Sequence, residues 1–268
     1  MVTVPGLGGE LGILPGHTPL ISQLQTGVLT YTQDGKSFQL HVSGGFVEIR
    51  DDHVSVLAQV AERPDEIDAA RALIGWDRVE WDDVHVRLPE RGMELDFGGI
   101  GKEYAADRAA TICADHGIGH GLVNLGGDVR IIGPQPDGAP WRVGIRHPRV
   151  EHAAIGTVEL RDGAVTTSGD YERYFEVDGH RYCHLLDART GWPTGHWQSA
   201  TVVAPLAILA GSYATIAMLL AADAPAFLAQ QHVRYLLVRA DGSIVCDTVS
   251  PDHGVRVVVA EQGRIATG

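Results

Sequence analysis

The pattern of apolar residues changes in kind part-way along this chain, and that change limits the fold more than any other feature. Residues 28–33, 37–42, 45–50 and 54–58 alternate apolar and polar side chains, the period of a strand with one buried face. Gln33-Asp-Gly-Lys36, Ser43-Gly-Gly45 and Asp51-Asp52 punctuate them as turns. The pattern predicts a small antiparallel β-sandwich. From Ala61 a charged, alanine-rich run follows, with Pro64 suited to a helix start, and it reads as a solvated helical linker. Beyond Ala72 strand and helix patterns alternate, which predicts α/β or α+β architecture. The expected organisation is therefore two parts, with residues 1–72 as one domain and 73–268 as a second.

Charge narrows the functional classes. The chain of 268 residues carries 34 acidic and 21 basic residues, a formal charge of −13. Sequence-independent nucleic-acid binding needs a positive field, so no nucleic-acid partner is expected. Three cysteines, Cys113, Cys183 and Cys246, include no CxxC pair and read as reduced thiols of a cytoplasmic protein. No basic and apolar leader opens the sequence, so no secretory signal is expected. Leu206 to Ala222 is uncharged and long enough to raise the question of a membrane span. Ser212, Tyr213 and Thr215 interrupt it and basic flanks are missing, so a buried core helix is expected and no transmembrane segment.

Two stretches carry candidate chemistry. Met93–Phe97 reads as a strand, Gly98-Gly99-Ile100-Gly101-Lys102 as a turn, and Glu103–His116 as a helix ending near Gly117; Gly121–Asp128 returns as a second strand. A glycine turn at a helix N-terminus leaves backbone N–H groups for a phosphate, and Lys102 adds a charge there. The spacing is neither GxxxxGK[ST] nor GxGxxG, so the turn alone fits tight packing better than a nucleotide loop. The second stretch runs from Val165 to Pro193. Phe175–His184 reads as a hairpin turning at Asp178-Gly179, with Thr167-Ser168-Gly169-Asp170 before it and His184 and Asp187 after it. A His beside an Asp could activate a hydroxyl, although a turn-capping Asp170 and a structural His184 account for the same residues.

The wider order of phrases resembles known families. VTVPGLGGELGILPGHTPLISQLQTGVL and VSGGFVEIRDDHVSVLAQVAERPDEIDAARA, between Val2 and Ala72, resemble the epsilon subunit of F-type ATP synthase. That resemblance implies a regulatory β-sandwich docked on an ATP synthase rotor stalk through residues 2–72, without the family's opening strand and most of its helical hairpin. LDFGGIGKEYAADRAA, LVNLGGDVRIIG, WRVGIRHPR, TTSGDYERYFEVDGHRYCHLLDARTGWP and ATVVAPLAILAGSYATIAMLL, from Trp76 to about Thr248, resemble the ApbE-type FAD:protein FMN transferases. The implied fold is an α+β flavin-transferase domain, incomplete here because the family's N-terminal third has no counterpart. The implied activity moves FMN from FAD to a threonine or serine hydroxyl of an acceptor flavoprotein, releases AMP and uses magnesium. The cytoplasmic location expected from the missing leader would be peripheral to the inner membrane if the first segment docks on a rotor. Alternatives are an epsilon-type structural subunit, or FAD binding without transfer.

The same resemblance implies site residues. Gly98, Gly99, Gly101 and Lys102 would hold the pyrophosphate, Asn124 and Asp128 would line the cleft, and Ser168 and Asp170 would lie beside it. His184 would lie near the reacting phosphate, so that His184, Lys102 and Asp170 are the catalytic candidates. The metal would take the Gly101 carbonyl, Thr215 and, as the nearest substitute oxygen, Ser212. The family's metal-binding Asp is Gly211 here. Weak magnesium affinity is therefore expected, with Gly211→Asp expected to tighten it.

Overall fold

The computed structural model describes residues 1–42, 44–58, 61–62, 69–177, 180–247 and 256–259. Two compact units emerge, one of residues 1–94 with 177–179, the other of 95–176 with 180–268. The first therefore continues past the boundary read from sequence at Ala72.

In the first unit eight strands, β1 (Val2–Gly6), β2 (Gly9–Ile13), β3 (Leu20–Leu24), β4 (Gly27–Gln33), β5 (Lys36–Val42), β6 (Gly45–Arg50), β7 (His53–Leu57) and β8 (Ala61–Glu62), pair antiparallel in the order β7-β6-β3-β1-β4-β5-β8, with β2 on β1. The four alternating runs thus become β4 to β7. Asp34 and Gly35 both take positive φ, the paired left-handed turn that matches strand twist, and Asp51-Asp52 do the same. Val4, Ile13, Leu24, Leu29, Val42, Val47 and Ile49 form one core. Those residues come from six strands, so the hydrogen-bonded sheet must curl over its own apolar face. The groups β3-β6-β7 and β4-β5-β8 join through β1, which reaches β3 only at Gly6–Leu24. Ala61-Glu62, expected as the first residues of the linker, instead pair with Val42 and His41. Pro64 lies outside the described residues, and only 69–72 of the expected linker are seen as helical. Two short strands, β9 (Glu80–Trp81) and β10 (Val86–Arg87), complete this unit.

The second unit is layered. Strands β11 (Gly121–Leu125), β12 (Asp128–Ile132), β15 (Gly163–Gly169), β18 (Trp197–Ala204), β19 (Arg234–Arg239) and β20 (Ile244–Cys246) form one antiparallel sheet in that order. A three-stranded sheet of β13 (Trp141–Arg146), β14 (Ala154–Leu160) and β21 (Arg256–Val259) packs on one face, through Ile145, Ile155, Val158 and Leu160 against Val129, Ile131, Val203 and Leu236. Helices α1 (Gly101–Asp115), α2 (Ala207–Leu220) and α3 (Ala224–Gln230) belong to this unit, α2 packing on β15 and β18. Every residue of β18 is buried, as a central strand covered on both faces requires.

The uncharged run at Leu206–Ala222 becomes α2. Ala207–Gln230 is, by length and composition, the one candidate membrane span among the described residues. Its Ala210, Ala214, Ala217 and Met218 lie in the core cluster with Trp197 and Leu237. The helix breaks at Ala221, where φ is 50° and ψ −118°, and the Trp197 indole N–H donates to the Ala221 carbonyl at 2.6 Å. Small residues dominate the inner face because α2 lies close on the sheet and against α1, where Ala106, Ala164 and Ala207 meet.

Helix α1 starts as the glycine turn predicts and stops at Gly117, whose φ is +83°. Gly117 N–H donates to Ala114 and Ile118 N–H to Cys113, the paired bonds of a glycine C-terminal cap. Met93–Phe97, expected as a strand, is irregular. It has no ladder partner among the described residues, and an unpaired strand has nothing to hold it. Gly121–Asp128, expected as one strand, is two strands reversing at Gly126-Gly127, both of positive φ.

Asp107 ties α1 to α2. Its carboxylate accepts from the Ala207 and Ile208 N–H groups at 2.9 and 3.0 Å, capping a helix one hundred residues on, and lies 3.4 Å from Arg130. Asp107→Ala is expected to cost about 1–2 kcal/mol, the scale of a lost N-cap. A urea midpoint falling with unchanged slope checks this.

Candidate functional site

The second unit gathers part of the sequence-indicated set around the start of α1. Residues 98–101 are exposed. A Cβ placed at Gly99 or Gly101 would meet nothing within 4 Å among the described residues, so this backbone is open. The Gly98 N–H donates to Asp96 Oδ1 at 2.7 Å, which fixes the turn. Among the described residues no side chain caps α1, leaving its positive end available to an anion.

Lys102 follows directly. Its Nζ donates to Asp128 Oδ2 at 2.7 Å, and a Cβ at Gly126 would lie 3.9 Å from the same nitrogen. The β11–β12 hairpin therefore meets the ammonium with its glycine turn and its first β12 residue. Asn124 accepts at Oδ1 from the Gly127 N–H at 2.9 Å, which sets the turn and leaves its amide N–H groups to a ligand. Asp128 is buried while half of the Lys102 side chain is exposed. Burial pushes the Asp128 carboxyl up and Lys102 opposes that shift.

Glu103, one residue on, points inward and is only 6% exposed. Sequence reasoning passed over it because a helical Glu is ordinarily a solvated one. Its Oε2 has no hydrogen-bond partner among the described residues. Burial pushes its carboxyl up, and Asp128 adds to the shift. The carboxylate lies over Gly211 of α2: a Cβ there would sit 2.6 Å from Glu103 Cγ and 2.8 Å from Oε1. An Asp at 211 therefore requires the Glu103 side chain to move aside, so Gly211→Asp adds one carboxylate only by displacing another. Thr215, one turn further along α2, shares a 2.9 Å hydrogen bond with Ser168 of β15. Ser212 is half-buried on the same helix. Among the described residues no three His, Cys, Asp or Glu side chains converge, so a cation here would need hydroxyl or carbonyl oxygens as well.

The remaining candidates have other partners. Asp170 is buried, and Arg149 grips both its oxygens at 2.7 and 2.6 Å. Arg181 approaches it at 4.0 Å and stacks on Tyr174 at 3.9 Å, so Asp170 is a crosslink to the β16 (Tyr174–Val177) and β17 (His180–Cys183) hairpin. The turn of that hairpin, Asp178-Gly179, lies outside the described residues. His184 is exposed and its Nδ1 is 3.3 Å from the Arg173 carbonyl. A carbonyl only accepts, so Nδ1 carries the proton and Nε2 is free to act as a base. The anticipated His184–Asp187 pairing does not form. Arg189 takes both Asp187 oxygens and, with its own backbone N–H, holds that carboxyl down at about 2. A cavity of about 640 Å³ lies elsewhere, between Gly163, Val203–Pro205 and His232–Tyr235, and includes none of these residues.

Comparison with known proteins gives this constellation a context. The ApbE family matches residues 32–260, beginning well before Trp76. The chain is similar to an FAD:protein FMN transferase of Salmonella typhimurium, 36% identical over 165 residues, which are 59% of this chain and 47% of that one. Against the FAD:protein FMN transferase of Rhodobacter capsulatus it is 37% identical over 182 residues, 66% of this chain and 34% of that one. The chain thus spans about half the length or less of these curated relatives. Among solved structures it is similar to the ApbE protein of Thermotoga maritima, with a TM-score of 0.65 and 37% identity over 71% of this chain and 63% of that one. The flavin transferase ApbE of Vibrio cholerae gives 0.60 and 26% over 77% and 63%. With a match over residues 32–260, this chain belongs to the ApbE family.

Proposed function

We propose that the chain transfers FMN from FAD to a threonine or serine hydroxyl of an acceptor flavoprotein. The observation that carries this is the open glycine turn at the start of α1, with Lys102 and the Gly126-Gly127 turn beside it. Such a site holds a pyrophosphate by backbone N–H groups and one ammonium. In the reaction the acceptor oxygen bonds to the FMN phosphorus and the pyrophosphate P–O bond breaks. AMP leaves with that electron pair, and the hydroxyl proton passes to a base, for which His184 Nε2 is the candidate. Lys102 neutralises charge on the phosphates and Asn124 orients them; Asp170 positions the hairpin that bears His184. The Gly101 carbonyl and the Thr215 and Ser212 hydroxyls would hold magnesium, which would supply further charge neutralisation. Incubation with FAD, magnesium and a threonine-bearing acceptor, read by mass, tests the proposal. An acceptor whose mass gains no FMN overturns transfer, and FAD binding without that gain leaves a flavin-binding protein.

Residues 2–72 are proposed as a separate β module able to dock on an ATP synthase rotor stalk, supported by the sequence resemblance and by their own apolar core. A chain beginning at Leu73 is then expected to bind FAD as tightly as the full protein, measured by quenching of flavin fluorescence. A marked loss of affinity overturns the division into modules. A cytoplasmic location, peripheral to the membrane through that docking, belongs to the same proposal.

A further inference from the structure

We infer that Glu103 supplies the anionic oxygen of a divalent-cation site where α1 meets α2, in the space a side chain at position 211 would have filled. The inference rests on the flavin reading only in placing a pyrophosphate beside the cation.

Three observations converge. A carboxylate nine-tenths buried whose Oε2 meets no donor among the described residues is costly, and such groups are kept where something binds them. Lys102, the adjacent ammonium, is committed to Asp128 at 2.7 Å, so two buried carboxylates share one half-exposed lysine. A second positive charge is wanted there.

The third observation is steric. Gly211 provides no side chain, and the Glu103 carboxylate stands over it with Oε1 2.8 Å from where a Cβ would be. Thr215 follows on the same face of α2, since four residues make about one turn. Its hydroxyl and that of Ser168 are 2.9 Å apart. Carboxylate, hydroxyl and carbonyl oxygens without His or Cys are the donors that hard divalent cations such as Mg²⁺ and Mn²⁺ prefer. Glu103 and Gly211 are therefore complementary: the long acid on α1 reaches the point that a shorter acid on α2 would otherwise serve.

Titration of the full chain with Mn²⁺ alone, following the free-ion electron paramagnetic resonance signal, tests this without FAD or turnover. Glu103→Gln keeps the shape, and is expected to weaken Mn²⁺ binding by about tenfold or more. Gly211→Asp by itself is expected not to tighten binding, because its Cβ meets Glu103. The exchange Glu103→Gly with Gly211→Asp is expected to restore binding to within a few-fold of the parent. Circular dichroism of each variant without metal confirms the fold, and the exchange variant decides the matter should Glu103→Gln not fold. Parent-like Mn²⁺ affinity in Glu103→Gln, or none in the parent at millimolar ion, would overturn the inference. Quenching of FAD fluorescence, measured separately without metal, reports on the flavin reading, so the two can fail independently.

Discussion

Lys102→Ala is expected to slow the proposed FMN transfer by about 100- to 1,000-fold, or ~3–4 kcal/mol, the scale of removing one charged stabiliser from a transition state. The ammonium has two tasks, and the variant abolishes both. It directly follows the open turn where the proposal places a pyrophosphate, and it neutralises Asp128 at 2.7 Å. Without it, a buried carboxylate is left alone, so a stability loss accompanies the rate loss. Half of the lysine side chain is exposed, so solvent screening keeps that loss below what a fully buried pair would show. The double variant Lys102→Ala with Asp128→Asn separates the tasks. It is expected to regain the stability and none of the rate, as measured by urea unfolding beside single-turnover transfer. A double variant that recovers the rate would show that Lys102 acts only as the counter-charge of Asp128.

Trp197→Ala is expected to destabilise the second unit by about 3–5 kcal/mol, the range for deleting a large buried aromatic. The ring is 1% exposed, lies in the core cluster with Ala217, Met218 and Leu237, and stacks edge-on with His196 at 4.7 Å. Its N–H also holds the Ala221 carbonyl at the left-handed break that ends α2. Trp197→Phe keeps most of the ring and loses only that bond, so about 1–2 kcal/mol is expected from it. Urea midpoints of the two variants check the division between packing and hydrogen bond. Equal losses in both would mean that the break at Ala221, rather than the packing of the ring, depends on Trp197.

Much of the secondary structure was legible in order along the chain. Alternation marked β4 to β7, glycine and aspartate marked their turns, and the glycine turn, alanine-rich run and Gly117 marked α1 from start to stop. These are local signals, each written within a few residues, because strand pleat, turn dihedrals and helix caps depend on near neighbours. The glycine turn, Lys102 and Asp128 were legible as candidates on the same footing. Met93–Phe97 and Ala61-Glu62 were misread because whether a segment is a strand depends on a partner strand, and β5 supplied one to Ala61-Glu62 alone.

What only the tertiary structure decided is which side chains meet. Asp107 caps a helix one hundred residues away, Arg149 rather than a substrate takes both oxygens of Asp170, Arg189 rather than His184 takes Asp187, and Glu103 fills the space above Gly211. Nothing near Glu103 in the chain distinguishes it from the surface acids of any helix. Its burial comes from α2 crossing α1 at a glycine, and the position of that crossing is set by sheet order and core packing, which no local stretch encodes.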